Sequence, residues 1–172
     1  MRLLSVLVLL ALALVVAGCD ASEPAPTFVV EPGLLYLDGA NGPDSTRIEV
    51  DGVIKSGAGV TVADGSRVVP GPAVVRAGVP VEVVVHTLGG LPTSYIPVTT
   101  EVRWVGRSAE LIVRDSVRQG PHVLVLTHHP RATTLVFERP GPAEIVVRGI
   151  RNDVLEGRVT DYAARVPVEV RE

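Results

Sequence analysis

Short valine-rich runs separated by glycine and proline dominate the chain after residue 27. The 172-residue sequence contains 17 glycines and 14 prolines, most of them between these runs. No segment after residue 27 shows the apolar period of an amphipathic helix. About ten short strands, spaced roughly 8 to 12 residues apart and joined by turn sequences, predict an all-β fold, an antiparallel β-sandwich of two sheets.

Apolar and polar residues alternate most clearly at the carboxyl end. Val166, Val168 and Val170 share one face of the segment Arg165–Arg171, which predicts a half-buried strand. Pro167 interrupts this segment. Because proline cannot donate to a strand ladder, the predicted strand is expected at a sheet edge or a bulge.

Other strands are predicted by alternation or by apolar content. Val102 and Trp104 share a face of the predicted strand 100–105, and the single tryptophan is expected in the core. Three nearly continuous apolar runs predict the strands at the centre of the fold, namely residues 79–86, 122–128 and 133–138. Further candidate strands are residues 28–30, 34–37, 46–50, 59–63, 74–75 and 109–114. The predicted turns include Asn41-Gly42, Asp51-Gly52, Asp64-Gly65, Pro70-Gly71-Pro72 and Ala77-Gly78.

Residues 133–149, followed by a loop and Val166–Val170, resemble the last three strands of immunoglobulin-like and fibronectin-like domains. The resemblance consists of an aromatic strand, a Pro140-Gly141 turn, a strand that ends in Val147-Arg148-Gly149, and a closing valine-rich strand. It implies an immunoglobulin-like sandwich. The sequence departs from antibody domains because it lacks their paired cysteines, and Ala143-Glu144-Ile145 replaces the expected corner tyrosine.

The first nineteen residues have the layout of a secretory signal. Arg2 precedes the apolar stretch Leu3–Val16, and small residues then lead to Cys19. A membrane-spanning helix is the alternative, but it needs about 20 apolar residues, and no basic stop-transfer cluster follows this shorter stretch. A cleaved signal is therefore expected.

The segment Val16-Ala17-Gly18-Cys19 resembles the lipobox of bacterial lipoproteins. The resemblance implies a helical signal peptide, residues 1–18, cleavage between Gly18 and Cys19, and fatty acids such as palmitate attached to Cys19. This is the only cysteine, so the chain cannot form an internal disulfide. Two or more acyl chains would hold the protein stably on a membrane. The implied location is the bacterial cell envelope, with inner and outer membrane both left open.

Residues 19–26 contain acids, small residues and two prolines, which predicts a short flexible tether. Residues 27–172 have the size of a single domain. Without Arg2 the 16 basic residues become 15 against 19 acids, a net charge of about −4 with neutral histidines. This charge argues against a nucleic-acid partner. The expected partners are the membrane and an envelope protein or polysaccharide.

The sequence shows no nucleophile with an oriented base. It lacks a Gly-x-Ser-x-Gly elbow, a glycine-rich phosphate loop and a His-Glu-x-x-His motif, and Gly106-Arg-Ser-Ala-Glu110 lacks the second glycine of an elbow. We therefore expect a non-enzymatic binding or structural module without a cofactor.

The alternative is a small metal-binding protein or enzyme that uses His86, His122, His128 or His129. In one strand His122 and His128 would lie about 20 Å apart, too far for one metal ion. His128 and His129 would point to opposite faces unless Pro130 belongs to a turn. A metal or catalytic role requires at least two of these histidines to converge in a concave polar pocket. We expect no metal site.

The glycine-rich segment Asp38–Asp44 is a second candidate for metal binding. Its clustered oxygen ligands suit calcium, but Asp and Asn beside Gly are also typical of tight turns. Asn152, Asp153 and Asp161, expected in the last long loop, carry a weaker version of the same argument. The sequence leaves calcium binding open.

Overall fold

A computed structural model describes residues 28–35, 46–55, 60–61, 67–68, 70–89, 95–118, 127–153 and 158–172. Within these ranges the chain forms strands and no helix, as predicted. None of the described residues belongs to a helix able to cross a membrane. The strands are β1 (Phe28–Pro32), β2 (Ile48–Val50), β3 (Val53–Ile54), β4 (Val60–Thr61), β5 (Arg67–Val68), β6 (Ala73–Arg76), β7 (Pro80–Gly89), β8 (Tyr95–Val105), β9 (Ser108–Arg118), β10 (Thr127–Val136), β11 (Gly141–Asp153) and β12 (Arg158–Arg171).

Two sheets share one hydrophobic core. In sheet A the strand order is β9-β11-β12-β6; β8 pairs with one edge of β9, and β1 pairs with the other edge beyond β11. Sheet B has the order β10-β7-β2-β3, and β4 and β5 form a separate ribbon. Val83 of sheet B and Leu111 and Ile145 of sheet A are fully buried in this core. The predicted all-β arrangement of two sheets is confirmed.

The sequence predicted purely antiparallel sheets, and this prediction is wrong for sheet A. β9 runs parallel to β11, and β6 runs parallel to β12. The chain passes through β10 of sheet B between β9 and β11, and it enters β7 of sheet B directly after β6. Strands separated by such a crossover need not be antiparallel, whereas strands joined by a tight hairpin must be.

The closing strand is half-buried, as predicted. Its buried valines are Val166, Val168 and Val170. The expectation that Pro167 marks a sheet edge holds at the residue itself, although β12 lies between β11 and β6 at its carboxyl end. Ala77 N–H donates to the carbonyl of Arg171 at 2.7 Å, so odd-numbered β12 residues direct their backbone groups towards β6. Pairing with β6 begins only at Val168, so the nitrogen of Pro167 faces no neighbouring strand.

The expectation that residues 133–138 form a central strand, separate from the strand 122–128, is wrong; residues 122–126 lie outside the described part of the chain. The described residues of this region form one strand, β10, which continues through Pro130 and lies at the edge of sheet B. An edge strand tolerates proline because one row of its backbone groups has no partner. The central position in sheet B belongs to β7 and β2.

The turn chemistry is partly confirmed. Asp51 and Gly52 have φ values of 49° and 74° and connect β2 to β3, as Asp-Gly sequences favour. Asn152, Asp153 and Asp161 do not lie in a loop as expected, because β11 and β12 extend into a long hairpin that includes them. The segments Asn41-Gly42 and Asp64-Gly65 lie outside the described residues.

The chain that follows β1 crosses from sheet A to sheet B. Leu34 forms a parallel bridge to β11, and Leu35 forms an antiparallel bridge to β7. The crossing passes directly over Gly149, where a Cβ atom would lie 2.4 Å from the carbonyl oxygen of Gly33. Glycine is therefore required at this position of β11.

Candidate functional site

The inner face of β8, at one edge of sheet A, is not covered by the described strands of sheet B. Val102 and Trp104 of β8 stand opposite Leu111 and Ala109, two fully buried residues, so they belong to the inner face of sheet A. Among the described strands, none of sheet B covers them. Val102 is 38% exposed and Trp104 is 45% exposed. The expectation that Trp104 is a core residue is wrong.

A groove of about 750 Å³ lies between β8 and the end of β10. Trp104 and Phe137 meet in it edge to face, with ring centroids 5.2 Å apart and an interplanar angle of 87°. Every residue from 134 to 139 lines the groove. Because successive strand residues point to opposite faces, this continuous lining means that the groove follows the backbone edge of β10.

The hydrogen bonds of β7 identify which of its backbone groups face β10. His86 N–H donates to the carbonyl of Arg47 at 3.1 Å, and Asp51 N–H donates to the carbonyl of Glu82 at 2.9 Å. Both bonds join even-numbered residues of β7 to β2 and its flanking residues. Since backbone groups alternate in direction along a strand, the odd-numbered residues of β7 face β10.

The pairing register shows which backbone groups of β10 bond to β7. Val83 stands opposite Thr133 and Val81 opposite Leu135, so the odd-numbered residues of β10 bond to β7. The even-numbered residues therefore direct their N–H and C=O groups away from sheet B. No described backbone group bonds to this free edge. Its last three residues before the groove mouth are Ala132, Thr134 and Val136.

Arg131 lies on β10 before the residues that line the groove. Its side chain crosses from β10 to sheet A, pairs with the buried carboxylate of Asp115, and donates to the carbonyls of Thr99 at 3.0 Å and Arg114 at 2.7 Å. The other oxygen of Asp115 accepts the Leu34 N–H at 3.1 Å. Burial lowers the pKa of Arg131 to about 10, so the guanidinium is charged at neutral pH.

Arg107 lines the groove from the turn between β8 and β9. Its Nε donates to the carbonyl of Pro142 at 2.6 Å, and its Nη2 donates to the carbonyls of Arg139 and Pro140 at 2.9 and 2.8 Å. These bonds fix the turn between β10 and β11 against the turn between β8 and β9. No carboxylate in the described part of the chain pairs with Arg107 or Arg139. With Glu138, the mouth carries two arginines and one glutamate and is basic.

The outer face of sheet A has a different character, because its charges are paired. Arg148 lies 2.8 Å from Glu110, and Arg165 lies 2.6 Å from Glu144. The hydrogen bond from Arg148 lowers the pKa of Glu110 below its ordinary value. A face of exposed ion pairs is typical of a solvated surface, so the groove is the better candidate for binding.

The three described histidines, His86, His128 and His129, do not assemble a three-ligand site. His86 and His128 lie on the outer face of sheet B, on neighbouring strands, whereas His129 points to the opposite face. The predicted opposition of His128 and His129 is therefore confirmed, without a turn at Pro130. His86 Nε2 lies 3.0 Å from Glu49. Within the described ranges, no three His, Cys, Asp or Glu side chains could hold a metal ion.

Several predicted site residues fall elsewhere in the chain. Gly18, Cys19, His122 and the segment Asp38–Asp44 lie outside the described residues. The groove itself was not predicted, because alternation shows which face a side chain occupies but not whether another sheet covers that face.

No family model, curated protein or solved structure matches the chain. The functional proposal therefore rests on the groove and on the amino-terminal sequence.

Proposed function

We propose that this protein is a lipid-anchored, non-enzymatic binding module of the bacterial cell envelope whose partner binds in the groove between β8 and β10. The exposure of Trp104 on the inner face of sheet A supports this most strongly. An exposed apolar patch with a polar rim is typical of interaction sites, and tryptophan is enriched among the residues that dominate binding energy.

The anchor is supported by the sequence Val16-Ala17-Gly18-Cys19 and by the tether-like composition of residues 19–26. Acylated Cys19 would hold the domain near the membrane. The signal peptide would be residues 1–18.

We also propose that the domain is related to immunoglobulin domains. In immunoglobulin domains strands B and E pair in one sheet, while F and G lie in the other. The pair β7–β10 and the hairpin β11–β12 follow this distribution. The departure is β9, which runs parallel to β11 where an antiparallel strand C is expected.

Labelling of cells with palmitate tests the anchor. We expect the wild type and Ser22→Ala to incorporate the label and remain with membranes, whereas Cys19→Ser does neither, because a single sulfur carries the lipid. Recovery of the wild type in the soluble fraction with Met1 intact would refute the anchor.

Binding to two probe sets tests the groove. The probes are a display library of random dodecapeptides and an array of bacterial cell-wall oligosaccharides, each presented to full-length mature protein in detergent. We expect one set to bind the wild type and Val74→Ala, an exposed apolar control on β6, and to lose about 2 kcal/mol, roughly 30-fold, on Trp104→Ala. If neither set shows binding that depends on Trp104, the proposed function is wrong.

A further inference from the structure

We infer that the groove binds an extended peptide segment of another protein, which adds to the free edge of β10 as a fifth strand of sheet B. This inference rests on the proposed binding function and names the class of its partner. It follows from the backbone edge, the uncovered inner face of β8, and the charges at the groove mouth.

The backbone edge favours a peptide over other ligands. Ala132, Thr134 and Val136 present N–H and C=O groups in a row, which is the pattern that an added β-strand satisfies. Pro130 has no N–H and limits the usable edge towards the start of β10. The remaining edge spans about five residues, or roughly 16 Å of extended peptide.

The uncovered face of β8 specifies the side chains of this peptide. A strand added to β10 would lie opposite β8, because Val102 and Trp104 of β8 line the same groove as the end of β10. Alternate side chains of the added strand would then face Val102, Trp104 and Phe137. Apolar residues at alternate positions would bury Val102 and Trp104 beside Phe137, which is already buried.

The charged residues at the groove mouth indicate the charge that the bound peptide should carry. Arg107 and Arg139 outnumber Glu138, and both arginines lack a carboxylate partner among the described residues. A peptide with an acidic residue at the end nearest this turn is complementary in charge.

A second copy of the chain fits these charges less well. Two β10 strands that pair antiparallel about Thr134 would place Arg139 of one copy beside His129 of the other. That pairing supplies no acid for either arginine. The preferred occupant is therefore a peptide from a different protein.

The edge can be blocked without removing a bond of sheet B. Thr134→Pro deletes an outward N–H that bonds to no described group, and Thr134→Ala is the matched control that keeps it. The probe is the tightest peptide selected from the dodecapeptide library. We expect the affinity for Thr134→Pro to be at least tenfold lower than the affinity for Thr134→Ala, at an unchanged circular dichroism spectrum.

A modified peptide gives the same test on the wild-type protein. N-methylation of the alternate peptide amides that face β10 should abolish binding, whereas methylation of the intervening amides should preserve it. Emission of Trp104, the only tryptophan, reports binding in both cases through a shift to shorter wavelength. This test shows whether the peptide adds to β10 even if Thr134→Pro fails to fold.

Three results would overturn the inference. The first is a selected peptide that tolerates methylation of either set of amides. The second is binding of oligosaccharides only, dependent on Trp104, which would leave the binding function intact. The third is a concentration-dependent dimer in sedimentation that Thr134→Pro dissolves, which would make a second copy the occupant. Failure of both probe sets would instead remove the binding function itself.

Discussion

Arg131 is the only arginine that is buried among the described residues. Its hydrogen bonds reach more strands than a single ion pair could. Its Nε donates to the hydroxyl of Thr87 at 3.0 Å, and its other nitrogens reach Asp115 and two carbonyls of β8 and β9. The planar guanidinium can satisfy all these acceptors at once, which a lysine cannot. The network joins both sheets.

Arg131→Met should lower the free energy of unfolding by about 3 to 5 kcal/mol, because it leaves Asp115 buried without a counter-charge. Urea unfolding measures the loss. Arg148→Met, which breaks the exposed pair with Glu110, is the control and should cost at most about 1 kcal/mol. The double variant Arg131→Met/Asp115→Asn should recover stability, since a neutral amide still accepts the Leu34 N–H. Equal costs for the two single variants would contradict this account of the network.

The crossing after β1 sets the path of the first strand through the molecule. It requires close contact between two backbones at Gly33 and Gly149. The Val147-Arg148-Gly149 step that resembles immunoglobulin-like sequences therefore has a packing reason in this chain.

Gly149→Ala should destabilise the domain by about 1 to 3 kcal/mol or more, because the added methyl would meet backbone rather than a flexible side chain. Gly71→Ala is the control, since no atom lies within 4 Å of its Cβ position. Thermal unfolding of both variants provides the measurement. A Gly149→Ala variant as stable as Gly71→Ala would mean that the crossing is not closely packed.

Strands with a local signal were predictable from the sequence. The alternation of Val166, Val168 and Val170 and the Asp51-Gly52 turn both depend on neighbours in the chain, and both predictions are confirmed. The position of β10 was not predictable in this way. β10 lies at the edge of sheet B and tolerates Pro130 there. Both features depend on which strands pair across the fold.

The described part of the molecule has two main sheets of six and four strands, and the groove lies where the inner face of β8 is not covered by a described strand of the smaller sheet. The sequence correctly placed Val102 and Trp104 on one face of a strand. It could not show that no described strand of sheet B covers them, because strand order is set by long-range pairing. Trp104 was therefore expected in the core although it lies at the candidate site.

Amide hydrogen exchange, followed residue by residue by NMR, examines the free edge on which the binding proposal depends. In the protein alone, the amides of Thr133 and Leu135 should exchange slowly because they bond to β7. The amides of Ala132, Thr134 and Val136 should exchange fast, and the selected peptide should slow these three. Slow exchange of the three in the protein alone would show that the edge is already paired. Fast exchange that persists with the peptide bound would show that the peptide does not add to β10.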